Sequence, residues 1–229
     1  MPLQNRVRPD GEIVVDPGRG LMMGNRGCLH GQGRDLGVAR WRSKLWLCCV
    51  LDWKGRQRDP MPPGRYTSLF FTDEASALAA GHRPCAYCRR GDYLEFAEAW
   101  RVAQGLTERP RAVEMDAVLH AERVESRTGR KVTWPARAAE LPDGAMVRTG
   151  QAFPGLVTGG QVAPWSFGGY GTPAAAGVVD VLTPASVVAA IRAGYRPMVH
   201  PSVSAAGCRS HPASNLRAGT ESVAAGGIP

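Results

Sequence analysis

The sequence lacks the long apolar segments that membrane-spanning and secreted chains carry. No run of 18 apolar residues occurs among its 229 residues, so we expect no transmembrane helix. Residues 1–10 contain two arginines and no apolar core, which is not the pattern of a signal peptide. These absences predict a cytoplasmic protein with no membrane partner.

Acidic residues are scarce relative to basic ones. The chain has 20 Asp and Glu against 28 Lys and Arg, which gives a net charge of +8 and a pI near 9.6. Basic, arginine-rich chains often contact phosphate backbones. High Arg and Ala contents also follow from GC-rich coding, so charge alone does not establish a nucleic-acid partner.

The six cysteines are the most informative residues that are present. Without a signal peptide we expect a reducing compartment, where metal binding is a better explanation of cysteines than a disulfide framework. The apolar content of 44% is enough for a core.

Cys85 and Cys88 form a C-x2-C pair behind the turn Gly81-His82-Arg83-Pro84. A helix-forming run, 73–80, precedes this turn, and an amphipathic run, 93–102, follows it. Both thiolates can then reach one tetrahedral metal, as in zinc sites. The alternative is a pair of small buried cysteines, but a turn between helices is a poor place to bury bare thiols.

The stretch 69–90 resembles the zinc-binding methyl-acceptor domain at the N-terminus of Ada, the bacterial DNA alkylation-repair protein. Those domains share the alanine-rich helix that leads into Gly-aromatic-Arg-Pro-Cys-x-x-Cys. Here His82 stands where the family usually has an aromatic residue. The resemblance covers roughly residues 40–100 and implies a small α+β zinc domain. The family also has two upstream cysteines three residues apart, one of them the methyl acceptor, and this chain lacks that spacing.

We predict an α+β fold with a small N-terminal zinc domain of short strands, a helix, the Cys-x-x-Cys turn and a second helix. Aromatic, apolar runs at 40–53 and 65–71 predict its strands. A β-rich module with one helix follows. The predicted divisions are an extended lead-in 1–20, the Ada-like zinc domain 21–105, a helical connector 106–140, the β-rich module 141–200 and a disordered tail 201–229.

Two further ligands are needed for zinc, and we favour Cys49 and His30. Adjacent strand residues face opposite sides, so Cys48 and Cys49 cannot both bind one ion easily. His30 lies in a glycine-rich loop that can fold over the site. Cys28 and Cys48 are the reserve candidates.

A site of three cysteines and one histidine with every position filled is structural. In the Ada-like interpretation a zinc thiolate instead attacks a methyl phosphotriester. Cys49 shares its strand face with Leu47 and Leu51, which predicts a buried sulfur, and three thiolates on Zn²⁺ carry a formal charge of −1 rather than −2. We therefore expect no efficient methyl transfer.

Two other groups of residues suggest chemistry. Asp116 and His120 are four apart on a predicted helix, 114–125, and could form a catalytic pair or half a metal site, or be an ordinary surface pair. Basic residues near the zinc motif, interleaved with aromatic ones, suit phosphate contacts and base stacking. The nucleic-acid candidates are Arg56, Arg58, Arg89 and Arg90.

The sequence is most typical of a zinc protein that binds nucleic acid, DNA in preference, in repair or regulation. One alternative is a zinc-dependent nuclease or other nucleic-acid-processing enzyme that uses His30 or His120, although no His-Asn-His set occurs at the expected spacing. Another is a protein-interaction module in which zinc only stabilises the fold.

Overall fold

The computed structural model describes residues 2–55, 59–150, 153–203 and 209–210. Within these ranges the chain is an α+β fold with two six-stranded sheets and a two-stranded one. Arg56, Arg58 and most of the predicted tail lie outside the described residues. None of the described helices is long and apolar enough to cross a bilayer.

The strands are short and run through most of the chain. In order they are β1 Gln4–Val7, β2 Ile13–Val15, β3 Met22–Asn25, β4 Leu47–Val50, β5 Leu69–Phe71, β6 Arg83–Pro84, β7 Trp134–Arg137, β8 Met146–Arg148, β9 Pro154–Thr158, β10 Gln161–Ser166, β11 Gly169–Tyr170, β12 Val178–Val181, β13 Met198–Val199 and β14 Arg209–Ser210. The helices are α1 Glu74–Ala79, α2 Arg90–Ala103, α3 Ala112–Arg123 and α4 Ala185–Arg192, with a 3-10 turn at Ala138–Glu140. The helices predicted on either side of the C-x2-C turn are thus confirmed.

The first sheet has the order β2-β1-β5-β3-β4-β6 and contains the zinc motif. Its strands β1 and β2 lie within the predicted lead-in 1–20. Gly24 allows β3 to pair closely with β4, because a Cβ atom there would lie 2.0 Å from the carbonyl oxygen of Leu47. A side chain at this position would push the two strands apart.

The two faces of the first sheet have different surroundings. One face packs against α1 in an apolar cluster that includes Met22, Cys48 and Phe71. On the other face the register aligns Met23 with both Cys49 and Phe70. These latter side chains line an open cavity.

The second sheet has the order β11-β10-β9-β8-β12-β7. It includes β7, which lies within the segment 106–140 that was predicted to be a helical connector. The second sheet therefore begins before residue 141, and only α3 in that segment is a long helix. Valines of its strands, Val147, Val157, Val162, Val179 and Val181, form one core with Val188 of α4.

Helix α1 begins at a buried acidic pair that joins the two sheets. Asp73 caps the helix by accepting a hydrogen bond from the backbone N of Ser76 at 2.8 Å. Its other carboxylate oxygen accepts from the hydroxyl of Tyr170 at 2.7 Å and from the backbone N of His200 at 2.9 Å. The helix start is therefore fixed by residues distant in sequence as well as by its own cap.

Candidate metal centre and adjoining cavity

Three cysteines lie together at the end of the first sheet. The sulfur atoms of Cys49, Cys85 and Cys88 are all within 4.8 Å of one another. A tetrahedral zinc ion with Zn–S bonds of about 2.3 Å would place its sulfur ligands about 3.8 Å apart. The cluster therefore fits a metal ion, and three of the four sequence-predicted ligands are in one place.

The backbone brings these cysteines together through strand pairing. Strand β6 pairs in parallel with β4, with Cys48 aligned to Pro84. The backbone N of Cys85 donates to the carbonyl of Cys48 at 2.9 Å. Since Cys49 follows Cys48 directly, this register places its side chain beside the C-x2-C turn.

Hydrogen bonds within the cluster redistribute its protons. Bonds from the Cys49 and Cys88 thiols lower the pKa of Cys85 to about 2. Bonds to Cys85 and Cys88, together with burial, raise the pKa of Cys49. If all three thiols lost their protons, the three negative charges would repel one another. A divalent cation bound between them would remove that repulsion.

The structure does not place His30 in this cluster. Its Nδ1 lies 2.6 Å from the hydroxyl oxygen of Thr67, and its Nε2 lies 3.1 Å from the carbonyl oxygen of Pro62. A carbonyl only accepts hydrogen bonds, so Nε2 carries the proton. Both ring nitrogens hold the glycine-rich loop in position, and the prediction of His30 as the fourth ligand was wrong.

The reserve candidates also lie away from the cluster. Cys48 is fully buried on the opposite face of β4, 3.5 Å from a guanidinium nitrogen of Arg89, and burial raises its pKa. The sulfur of Cys28 lies 3.5 Å from the carbonyl oxygen of His30. The alternation of Cys48 and Cys49 across the strand is as predicted.

A cavity of about 790 Å³ opens beside the three cysteines. The strand face that carries Leu47, Cys49 and Leu51, which was predicted to be buried, lines this cavity. Cys49 is therefore only partly buried, and its side chain reaches the cavity. Aromatic rings supply much of the wall, and the rings of Trp53 and Tyr87 lie 5.5 Å apart. The lining comprises Met23, Asn25, Leu47, Cys49, Val50, Leu51, Asp52, Trp53, Gly55, Pro60, Tyr66, Ser68, Phe70, Cys85, Tyr87 and Cys88.

Of the basic residues predicted to contact nucleic acid, Arg89 is not on the surface. Its guanidinium donates to Glu74 at 2.8 Å and to Asp92 at 3.1 Å, and the residue is 3% exposed. It ties the start of α2 to the start of α1. Arg90, the next residue, is exposed.

Asp116 and His120 do not form a shared site. Asp116 receives two hydrogen bonds from the buried guanidinium of Arg83, at 2.9 and 2.7 Å. The Nδ1 of His120 lies 3.2 Å from a guanidinium nitrogen of Arg123, and its ring meets Trp41 edge-on. Burial and the charge of Arg123 lower the pKa of His120. Both residues are buried, at 1% and 8% exposure, and each has its own arginine partner. They are therefore neither the catalytic or metal pair nor the ordinary surface pair that the sequence left open.

Sequence reasoning missed the aromatic cavity. Leu47 and Phe70 had been assigned to strands, whereas Met23 in β3 had not. Nothing in a single strand indicates that its outer face stays uncovered. The alternation of Leu47, Cys49 and Leu51 did indicate a shared face.

Comparisons with protein-family models, with curated proteins and with solved structures gave no match for this chain. The three-cysteine cluster and its cavity are therefore interpreted from their own geometry.

Proposed function

We propose that this chain is a zinc protein that binds nucleic acid, DNA in preference, in the cavity beside Cys49, Cys85 and Cys88. The observation that carries the proposal is the position of the cysteine cluster in the wall of a large, aromatic-lined cavity. A site used only to stabilise the fold has no need of such a cavity.

The donor set supports zinc. Thiolate ligands select zinc, copper(I) or iron–sulfur clusters, and tetrahedral geometry with Cys ligands is typical of zinc. Among the described residues, the group contains no fourth His, Cys, Asp or Glu. A fourth position facing the cavity would let a bound molecule lie next to the ion.

The cavity wall supports a nucleic-acid ligand. Trp53, Tyr66 and Tyr87 offer ring faces on which bases can stack, at about 1–3 kcal/mol per base. Exposed Lys54 follows Trp53 directly, and exposed Arg90 lies three residues after Tyr87, so both could contact phosphates. The resemblance of 69–90 to the Ada methyl-acceptor domain points to the same class of ligand.

Replacement of Trp53 tests base stacking. We expect Trp53→Ala to weaken binding of a short single-stranded DNA by about 5- to 150-fold, the equivalent of one lost stacking contact. Fluorescence anisotropy of a labelled oligonucleotide at low salt measures this. Phe153→Ala is the control, since that ring is 77% exposed and does not line the cavity. Equal affinities of the Trp53 variant and the parent protein would contradict the proposal.

Phosphate contacts are tested by salt and by charge. With about six contacts to a duplex, the slope of log K against log salt should be about −5. Combined reversal of Arg56, Arg58 and Arg90 to Glu should weaken binding and flatten this slope by about 3. Arg89 must stay intact in this variant because it is buried and paired. An affinity that ignores salt would argue against a nucleic-acid ligand.

A second candidate is a zinc-dependent nucleic-acid-processing enzyme. Zinc sites with three protein ligands and one open position are typical of catalysis. Asp52 is the one carboxylate among the described residues that line the cavity, and it could accept a proton there. Cleavage of DNA that requires zinc and is lost in Asp52→Asn, with binding retained, would favour this function.

A mass measurement on the DNA-bound protein distinguishes binding from methyl transfer. In the transfer reaction the Cys49 thiolate would attack the methyl carbon, and the phosphodiester would leave with the electron pair of the broken C–O bond. The cavity position of Cys49 removes our steric objection to that reaction, while the formal charge of −1 still disfavours it. Intact mass after incubation with DNA carrying methyl phosphotriesters should show no stoichiometric gain of a methyl group.

A further inference from the structure

A second cavity, of about 610 Å³, is lined in part by Trp46 and has many basic residues in its wall. This cavity shares no lining residue with the one beside the cysteines, so the two are separate. Six basic residues line it: Arg26, Arg40, Arg123, Arg130, Lys131 and Arg148. Two acidic residues line it as well, Asp10 and Glu12.

Arg26 is buried there without a carboxylate partner in hydrogen-bond contact. Its Nε donates to the Nε2 of His82 at 3.0 Å, and its Nη1 donates to the carbonyl of Gly11 at 2.9 Å. Its Nη2 has no hydrogen-bond partner and no contact with solvent. The guanidinium carbon lies 4.0 Å from the centre of the Trp46 ring, which compensates only part of the charge.

Arg123 repeats this arrangement on the same indole. Its two terminal nitrogens donate to the carbonyls of Gly81 at 2.9 Å and Lys44 at 2.8 Å, and its Nε has no partner. Its guanidinium carbon lies 3.9 Å from the centre of the Trp46 ring. Burial lowers the pKa of both arginines to about 9, as expected where charge is poorly compensated.

The two acidic residues of the lining are shared with another cation. Arg8 contacts the carboxylate of Asp10 at 3.0 Å and that of Glu12 at 3.7 Å. The cavity therefore keeps an excess of positive charge. Burying unpaired charge is expensive, so an anion in this space would lower the free energy of the folded state.

We propose that this second cavity binds a small phosphorylated ligand, with its phosphate group at Lys131 and Arg130 and the charges of Arg26 and Arg123 behind it. The Nζ of Lys131 donates to the carbonyl of Ala79 at 2.6 Å, and Arg130 is exposed. Burial, together with the charge of Arg26, lowers the pKa of Lys131 to about 7, and a bound phosphate would favour its charged form. Guanidinium groups match phosphate oxygens in pairs. The partly exposed ring of Trp41 also lines the cavity and can pack against the organic part of the ligand.

The test is a titration of the full chain with inorganic phosphate, in which binding is monitored by the broadening of the ³¹P NMR line. Chloride balances the added phosphate so that the ionic strength stays constant. We expect saturable binding, and we expect Lys131→Gln combined with Arg130→Gln to raise the Kd at least about tenfold, the loss of one charge-assisted contact. Arg137→Gln is the control and should leave the Kd unchanged, because that side chain is 73% exposed and lines neither cavity. Because Lys131 also donates to the carbonyl of Ala79, the circular dichroism spectrum and thermal melt of the variant check that it folds like the parent protein.

Two further arms identify the source of the phosphate. A nucleoside 5′-monophosphate should bind more tightly than inorganic phosphate and should displace it, because the organic part can contact Trp41. Broadening that does not saturate, or that persists unchanged in the double variant, would overturn the proposal. The proposal would also be overturned if a DNA duplex displaced inorganic phosphate as effectively as the nucleoside monophosphate, since the site would then belong to a nucleic-acid surface. None of these results depends on zinc or on the cysteine cavity.

Discussion

Removal of the metal with a chelator is expected to lower the free energy of unfolding by at least about 5 kcal/mol, a fall in Tm of about 10–20 °C for a chain of this size. The reason is the position of the three cysteines. Cys49 belongs to β4, whereas Cys85 and Cys88 follow β6, the two-residue edge strand of the first sheet. A shared ion would hold together elements that otherwise meet over a very short pairing.

Calorimetry with and without chelator, together with elemental analysis of protein purified without added metal, measures this effect. Cys88→Ser should reproduce the chelated state and lose its response to chelator. Cys28→Ser is the matched control, because that sulfur is not part of the cluster. A protein that is purified free of metal and melts at the same temperature with or without zinc would refute the metal site.

Replacement of Glu74 by Gln should cost about 3 kcal/mol, because it leaves the buried guanidinium of Arg89 with only the carboxylate of Asp92, at 3.1 Å, as a counter-charge. Glu74 and Arg89 have side chains that are 0% and 1% exposed, and they meet at 2.8 Å. The same carboxylate accepts from the hydroxyl of Tyr195 and from the backbone N of Met198 at 2.9 Å. Burial raises the pKa of Tyr195, so its hydroxyl stays protonated as a donor.

Urea denaturation gives the comparison, with the midpoint expected to fall and the m value to stay constant. Glu98→Gln serves as the control, since Glu98 forms an exposed pair with Arg101 at 2.8 Å. That exposed pair should contribute less than about 1 kcal/mol. If the two variants had equal midpoints, the buried pair would not be a principal contributor to stability.

Local patterns in the sequence were enough for part of the candidate site. The C-x2-C spacing and the period of two along 46–51 correctly grouped Cys49 with Cys85 and Cys88. Local patterns also placed the helices on either side of the turn, because α1 has its own cap at Asp73 and α2 has an apolar stripe that includes Phe96 and Trp100.

Long-range partners explain what could not be predicted. Arg89 looked like a surface arginine, and only the fold shows that Glu74 neutralises it 15 residues upstream. His30 looked like a ligand until its contacts with Thr67 and Pro62 were known. The accessibility of Cys49 depends on what covers the sheet, and no local pattern contains that information.

The register of β4 also makes the chain sensitive to changes in length as well as composition. Deleting one residue between Trp46 and Cys48 would rotate every later side chain of the strand to the opposite face. Cys49 would then enter the apolar cluster beside α1, and the following valine would face the metal-binding turn. Insertions and deletions in this segment should therefore be far less tolerated than substitutions, whereas the exposed loop before it, at residues 31–40, has room for both.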